Sequence, residues 1–319
     1  MDSVVYSFVI PVYNEEAVLL ELFSRMEATL GKLDSAGEVL LVDDGSKDKS
    51  FDLLLAQHKK DPRFKAIKLS RNFGHQNAVT AGIDLSKGKA VIIMDADLQD
   101  PPEVVFDLIA QWKAGFDVVH AVRQSRAGES WFKLITANVF YRFLEKITET
   151  KIVRNAGDFR LMDRKVVDAF CRLREQHRFV RGLSCWVGFK QSCVLYERQA
   201  RYAGETKYPL KRMIKLAVNA ITSFSDWPLR LAFKTGVFIS CASFLSAVVL
   251  IILRFIEVEG SSQWASGWAS LMVCMAFLNG MMMMMVGLVG IYVGRIFQEV
   301  KGRPLYIVEA FHQECKNTK

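Results

Sequence analysis

Residues 89–102 read KAVIIMDADLQDPP, and this stretch decides the fold. A short apolar, β-branched run stops abruptly at Asp95-Ala96-Asp97, and Pro101-Pro102 with Glu103 open the next helix, where proline and an acidic residue suit the first turn. In an extended chain ending, residues two apart face the same way, so Asp95 and Asp97 are expected to converge on one divalent cation, with Gln99 adding a neutral oxygen. Mg²⁺ or Mn²⁺ suits such oxygen ligands and can bridge the two phosphates of a donor whose leaving group gains negative charge. A D-x-D is common by itself; its place directly after a strand is what gives this one meaning.

Outward from this strand the pattern repeats. VVYSFVIPV (4–12), EVLLVDD (38–44), FKAIKLS (64–70) and DVVHAV (117–122) read as further strands, with amphipathic stretches such as AVLLELFSRMEATL (17–30) between them. Strands alternating with helices predict an α/β domain built on a mostly parallel sheet with helices on both faces. Ligands in such a fold sit beyond the C-terminal ends of the strands. There this chain places Tyr13 to Glu15, Asp43 to Ser46, Arg71 to Gly74 and Asp95 to Asp100. Asp43 and Gly45-Ser46 can meet a base or ribose at one strand end, or form only a turn capped by Ser46 or Asp48. Tyr13 and Glu15 can hold a nucleobase and ribose, or simply cap a helix.

The second half is different material. The 319 residues have a mean hydropathy of +0.14, high for a soluble protein, and the excess lies in the C-terminal third. Thr235 to Leu253 and Gly260 to Gly294 carry no charge, and each is long enough to cross a bilayer, the second with tilt. Arg230 and Lys234 precede the first span and Arg295, Lys301 and Arg303 follow the second, which predicts a hairpin with the large domain and both termini in the cytoplasm. Met281 to Met285 read as soft apolar filler of a membrane helix. Two stretches with aromatic and basic residues, at 130–147 and 208–224, suit the membrane interface, although each can also pack on the sheet. The expected organisation is a catalytic domain over 1–229, two transmembrane helices at about 233–254 and 268–294, and a cytoplasmic tail over 296–319 with a short strand in RPLYIVE. The run from Val4 to Val12 lacks a basic leader and does not read as a signal peptide.

A net charge of +8 and a pI near 9.1 admit nucleic acid, acidic lipid or phosphorylated substrates. The six cysteines contain no C-x-x-C pair and read as reduced packing residues.

Seven motifs fall in one order along the chain: PVYNEE (11–16), LVDDGS (41–46), LSRNFGHQNAV (69–79), MDADLQDPPE (94–103), GDFRLMDR (157–164), RYAGETKY (201–208) and ITSFSDWPLR (221–230). Together they resemble the bacterial polyprenyl-phosphate glycosyltransferases of glycosyltransferase family 2, of the bactoprenol glucosyltransferase type, related to dolichyl-phosphate mannose synthase. The resemblance covers residues 5 to 308 and extends to the two C-terminal spans. It implies a GT-A (Rossmann-like) catalytic domain in the bacterial plasma membrane that inverts a hexose, glucose foremost, from a UDP-sugar onto undecaprenyl or another polyprenyl phosphate. The partners are then donor, lipid phosphate and bilayer rather than nucleic acid, and association into a homo-oligomer stays open. By the same resemblance Pro11, Tyr13, Glu15, Asp43 and Asn72 line the nucleotide-sugar site, Asp95 and Asp97 serve metal and donor, and Arg201 holds the diphosphate. Thr206, where many relatives carry Ser, keeps the hydroxyl beside Lys207, and Asp158 stands near the reacting centre.

A phosphate monoester is mostly a dianion at neutral pH and needs no base to become a nucleophile. Asp158 can therefore act directly, orient Arg160 or shape the sugar pocket. The acceptor phosphate needs cations, for which Arg123, Arg126 and Lys133 are candidates, as are Lys207 and Lys211. A processive polysaccharide synthase shares the D-x-D domain but resembles its kin in a Q-x-x-R-W motif that is absent here. A membrane scaffold or channel subunit is the non-enzymatic alternative.

Overall fold

The computed structural model describes residues 4–124, 153, 156–198, 227–256 and 268–313. The five predicted strands are all present as β1 (Tyr6–Val12), β2 (Gly37–Asp43), β3 (Phe64–Leu69), β4 (Ala90–Ile93) and β5 (Val118–Arg123). Helices α1 (Glu16–Gly31), α2 (Ser50–Lys60), α3 (His75–Leu85) and α4 (Val105–Lys113) connect them in turn. The order β3-β2-β1-β4 is parallel throughout.

Beyond it the chain does something the strand pattern did not announce. GDFRLMD becomes β6 (Ala156–Asp163) and inserts antiparallel between β4 and β5. Helices α5 (Arg164–Arg172) and α6 (Val180–Trp186) follow, and β7 (Gln191–Tyr196) pairs parallel with β5. At the opposite edge β8 (Val308–His312) pairs antiparallel with β3. The eight-stranded order is β7-β5-β6-β4-β1-β2-β3-β8, a GT-A-like α/β fold.

Every residue of β1 and β4 is buried, as central strands covered on both faces must be. One layer of the core is closed by α1, whose Val18, Leu19, Leu22, Phe23, Met26 and Leu30 recur at helical spacing on one face. The other face carries α3, which approaches so closely that a methyl group added at Gly82 would stand 2.3 Å from Val9. Only glycine lets helix and strand meet there. Truncating a fully buried aromatic such as Phe8 is expected to cost about 3–5 kcal/mol.

The chain divides into two compact units, residues 1–213 with 304–319, and residues 214–303. The second contains α7 (Trp227–Ile256) and α8 (Trp268–Val300), of 30 and 33 residues. Among the described residues, one segment, Phe277–Val300, is long and apolar enough to cross a membrane, with a mean hydropathy of 1.7 and none of it buried inside the protein. Its Met282, Met283, Met284 and Ile296 point away from any core. The stretches 130–147 and 208–224 lie outside the described residues. The five described cysteines are free.

Candidate active site

The C-terminal ends of β1, β2 and β3 are joined by hydrogen bonds between their loops. Asn14, at φ +53°, receives Lys47 N–H on its side-chain oxygen and donates its own N–H to Ser46 Oγ. Glu15 N–H donates to Ser50 Oγ, and Glu16 N–H to Asp48. Asp43 is fully buried and accepts the Ser46 N–H, and burial pushes its carboxyl above the usual range. Asp44 is engaged otherwise: both its oxygens accept backbone N–H groups, of Phe73 at 2.7 Å and Gly74 at 2.9 Å. Gly45, at φ +71°, lies so near that an added Cβ would meet the Arg71 and Asn72 backbone at 2.7 Å. The V-D-D-G turn thus fixes the loop Arg71–Gly74 through Asp44 and Gly45 and leaves Asp43 as the carboxylate at the strand end.

That loop delivers His75. Gly74 turns the chain at φ +95°, and α3 begins on the next residue. His75 Nε2 lies 3.2 Å from Asp158 Oδ2 and 3.6 Å from Asp95 Oδ1, so three groups from α3, the end of β4 and β6 share one place. Their ligand atoms all fall within 4.8 Å of one another, a spacing one cation can span. Asp95 Oδ1 is buried with no hydrogen-bond partner, an unmet acceptor that a cation could satisfy. The residues therefore fit a divalent ion. Such an ion, when bound, would neutralise charge on a donor diphosphate.

The electrostatics of the cluster are uneven. Burial pushes the Asp95 carboxyl up to about 6, opposed by His75 and reinforced by Asp158, Asp100 and Asp97. Burial also acts against charge on Asp158, but Arg181 beside it, with His75 and Arg160, holds that carboxyl well below the usual range. Arg181 grips it in a fork, Nε to Oδ1 at 2.8 Å and Nη2 to Oδ2 at 3.1 Å. For His75 partial burial opposes protonation, yet the hydrogen bond to Asp158 and the charge of Asp95 outweigh it and raise the ring to about 9.

Arg160 explains how Arg181 is held in reach. Its guanidinium is fully buried and donates to Gly157 O at 2.7 Å, to Asp158 O at 3.1 Å and to Ser184 Oγ, so that β6 and α6 are tied by one side chain. From β7, Gln191 donates to the Cys185 carbonyl at 3.2 Å and stands 3.1 Å from Nε2 of His120 on β5. An arginine sealed in this way keeps its charge only because carbonyls and a carboxylate surround it.

The D-A-D segment is not the extended ending expected. Strand β4 stops at Ile93, and Ala96-Asp97 make a turn that Leu98 completes at φ +56°, with its own side chain buried. A non-glycine residue in that region costs on the order of 1 kcal/mol. Burial of Leu98 offsets it. Asp97 accepts the Gln99 N–H at 3.2 Å, so a tight turn and not strand alternation sets both side chains.

Of the other expected residues, Pro11 is buried in β1, Tyr13 is exposed, and Asn72 is exposed on the loop before α3. Arg123 lies 3.9 Å from the fully buried Asp100 and donates to Tyr196 Oη at 3.4 Å, while Tyr196 donates to Asp100 and Arg198 stands 3.5 Å away. Its guanidinium is thus anchored to β7 as well as near the strand ends. Arg126, Lys133, Arg201, Thr206, Lys207 and Lys211 lie outside the described residues.

His75 and Arg181 are the residues that sequence reasoning missed. The rim legible in the sequence ends at Gly74, one position short, although a glycine followed by histidine at a strand-to-helix turn is the available signal. Arg181 sits in a short helix with no motif of its own, and only the tertiary fold joins it to Asp158.

A model of the glycosyl transferase family 2 matches residues 7–170. The chain is 48% identical over 304 residues to an uncharacterized glycosyltransferase, YkcC, of Bacillus subtilis (strain 168), covering 95% of this chain and 93% of that one. It is 39% identical over 307 residues to the bactoprenol glucosyl transferase of Shigella phage SfII, covering 96% and 98%. Among solved structures, the mannosyl-3-phosphoglycerate synthase from Rubrobacter xylanophilus aligns with 73% of this chain and 75% of its own, at 14% identity and a TM-score of 0.48. With a family model over half its length and such relatives along nearly all of it, this chain belongs to glycosyltransferase family 2.

Proposed function

We propose that the chain transfers a hexose, glucose foremost, from UDP to a polyprenyl phosphate such as undecaprenyl phosphate at the cytoplasmic face of a bacterial plasma membrane. The observation that carries this reading is the cluster of Asp95, His75 and Asp158 at the strand ends, in a chain 39% identical to proteins named bactoprenol glucosyl transferases. In it Pro11, Tyr13, Glu15, Asp43 and Asn72 serve the uridine side. Asp95, Asp97 and Gln99 would hold Mg²⁺ or Mn²⁺, with His75 and Asp158 clustered beside Asp95, and Arg201, Thr206 and Lys207 would serve the diphosphate.

The acceptor phosphate is its own nucleophile, since its second pKa near 6 leaves a dianion at neutral pH. One of its oxygens forms the new bond to the anomeric carbon as the carbon–oxygen bond to UDP breaks, and UDP leaves with the electron pair. The work of the protein is alignment and charge compensation. Arg123, Arg126 and Lys133 are assigned to the acceptor headgroup. Arg181 and Arg160 keep Asp158 ionised, where it stabilises positive charge developing at the anomeric centre.

The membrane organisation belongs to the same reading: α7 and α8 form a hairpin with both termini cytoplasmic, so that only the lipid headgroup has to leave the bilayer. The test is UDP release by the purified full chain with UDP-glucose, short polyprenyl phosphates and Mn²⁺, with the lipid product identified by mass spectrometry. Metal-dependent appearance of a hexosyl-phosphoprenol is expected. Absence of product across a panel of UDP-sugars would leave the reading without support.

A further inference from the structure

Helix α3 has His75 at its first residue and Asp84 at its second-last, about 14 Å apart along the axis. Between them Ala78 to Ile83 are all buried, and Gly82 lets the helix sit against β1 without a gap, so it moves as a rod if it moves at all. A carboxylate near a helix C-terminus is disfavoured by the dipole and needs partners. Asp84 has them: Tyr306 donates its hydroxyl at 2.7 Å and Arg174 its Nη1 at 2.7 Å.

Tyr306 comes from far along the chain, in the segment that returns after α8 to pair β8 with β3. The same segment reaches the other end of the helix. Ser70 N–H, at the start of the loop that delivers His75, donates to Ile307 O at 3.0 Å. Phe73 of that loop packs on the same small core of Leu40, Val42, Ile67, Leu69, Ala78 and Ala81 as do Tyr306, Val308 and Phe311. In turn the first helical turn holds α6, because Gln76 Oε1 accepts the Val180 N–H at 2.9 Å.

We propose that Tyr306 is a positioning residue for sugar transfer, which through Asp84 sets the axial position of α3 and so the placement of His75 against Asp95 and Asp158. This rests on the reading of that cluster as the reacting site. The chain just before β8, at Tyr306, is then tied to the reacting site through α3. Tyr306 touches no reacting atom and acts only through the helix.

The test uses the full chain in detergent or nanodiscs. Tyr306→Phe removes one hydroxyl and keeps the ring in the core, and it is expected to lower kcat about threefold to tenfold while KM for the UDP-sugar stays within about twofold. Hydrogen exchange of the Ala78 and Val79 amides should quicken by a similar factor, with the β1 and β4 amides unchanged. Asp84→Asn, which weakens the same link from the other side, should behave alike. Glu309→Gln, which breaks only the exposed Lys68 pair on β8, should match the wild type. A lowered kcat with unchanged exchange at α3, an unchanged kcat, or equal loss in Glu309→Gln would each overturn the proposal. If the wild type itself transfers no sugar, the functional reading fails instead, while the exchange data still report whether Tyr306 holds α3.

Discussion

The imidazole of His75 lies 3.2 Å from the carboxylate of Asp158, a residue 83 positions later in the chain. The two meet because β6 inserts antiparallel beside β4 and brings its first residues to the end of the sheet where α3 begins. A cation at a helix N-terminus is opposed by the dipole, so the ring stays protonated only through its acidic neighbours.

That arrangement makes proton and metal competitors. Against the burial that opposes its charge, the hydrogen bond to Asp158 and the charge of Asp95 raise His75 to about 9, and the stability it contributes is full below the unfolded value of 6.5 and lost as pH rises through 9. Asp95, at about 6, must also lose its proton to bind a cation. Mn²⁺ affinity, measured by calorimetry, is therefore expected to climb from pH 6 to pH 9, by up to about tenfold per unit for each proton displaced. In His75→Gln the climb should flatten above pH 7. Equal affinity at pH 7 and 9 in the wild type speaks against His75 as a ligand.

Asp97→Asn should keep the fold and lose at least about a hundredfold in transfer, since the ion loses an anionic neighbour where the diphosphate gains charge. The turn itself survives, because the amide oxygen can still accept the Gln99 N–H. Circular dichroism checks the first statement and Mn²⁺-dependent UDP release the second. Full turnover of the folded variant with EDTA present would sink the assignment.

The strands were legible because burial on both faces writes itself as apolar runs, as in Phe8 to Val12 and Val91 to Met94. The rim was legible for the same reason: where such a run stops at Asp43 or Asp95, the sheet has ended. The antiparallel β6 was not, since GDFRLMD contains an arginine and two acids, and only the buried partners of Arg160 make that composition possible in a central strand. Nor could spacing predict that Asp44 is spent on Phe73 and Gly74, or that Arg181 serves Asp158. These pairings join distant segments, and a single sequence carries no local trace of them.

His120 offers a test of the core beside the site. It is fully buried on β5, and burial, with the Arg160 charge, holds it down to about 4. The unfolded chain then binds a proton that the folded one refuses, so stability falls as pH drops from about 6.5 towards 4, by about 3 kcal/mol for this group. His120→Gln should be the less stable protein at pH 7.5 yet lose less on acidification. Thermal midpoints of both proteins at pH 7.5 and 4.5 decide it, and parallel losses would remove His120 from the account.

The proposed hairpin predicts that a single cysteine at Glu259 is labelled from outside the membrane and one at Asn317 only after permeabilisation, in a background without native cysteines. The reverse pattern would refute the orientation.

The last prediction concerns stereochemistry. A retaining double displacement needs a carboxylate free to attack the anomeric carbon, and Asp158 is the strong candidate near the reacting centre. Its oxygens are already committed, Oδ1 to Arg181 Nε and Oδ2 to Arg181 Nη2 and His75, and the same cations hold it ionised well below the usual range. A carboxylate so stabilised is a weak nucleophile and a weak base, but a well-placed fixed charge. The acceptor phosphate, a dianion near neutral pH, needs neither service. Transfer should therefore invert in one displacement, an α-linked UDP-sugar giving a β-linked sugar phosphate. Asp158→Asn should slow the reaction by about a hundredfold or more, because Arg181 and His75 lose their counter-charge, yet what remains should still invert. Proton NMR of the product reads the anomeric coupling, and intact-protein mass spectrometry during turnover looks for a sugar adduct. Retention, or an adduct on Asp158 that turns over, would replace the single displacement with a covalent route.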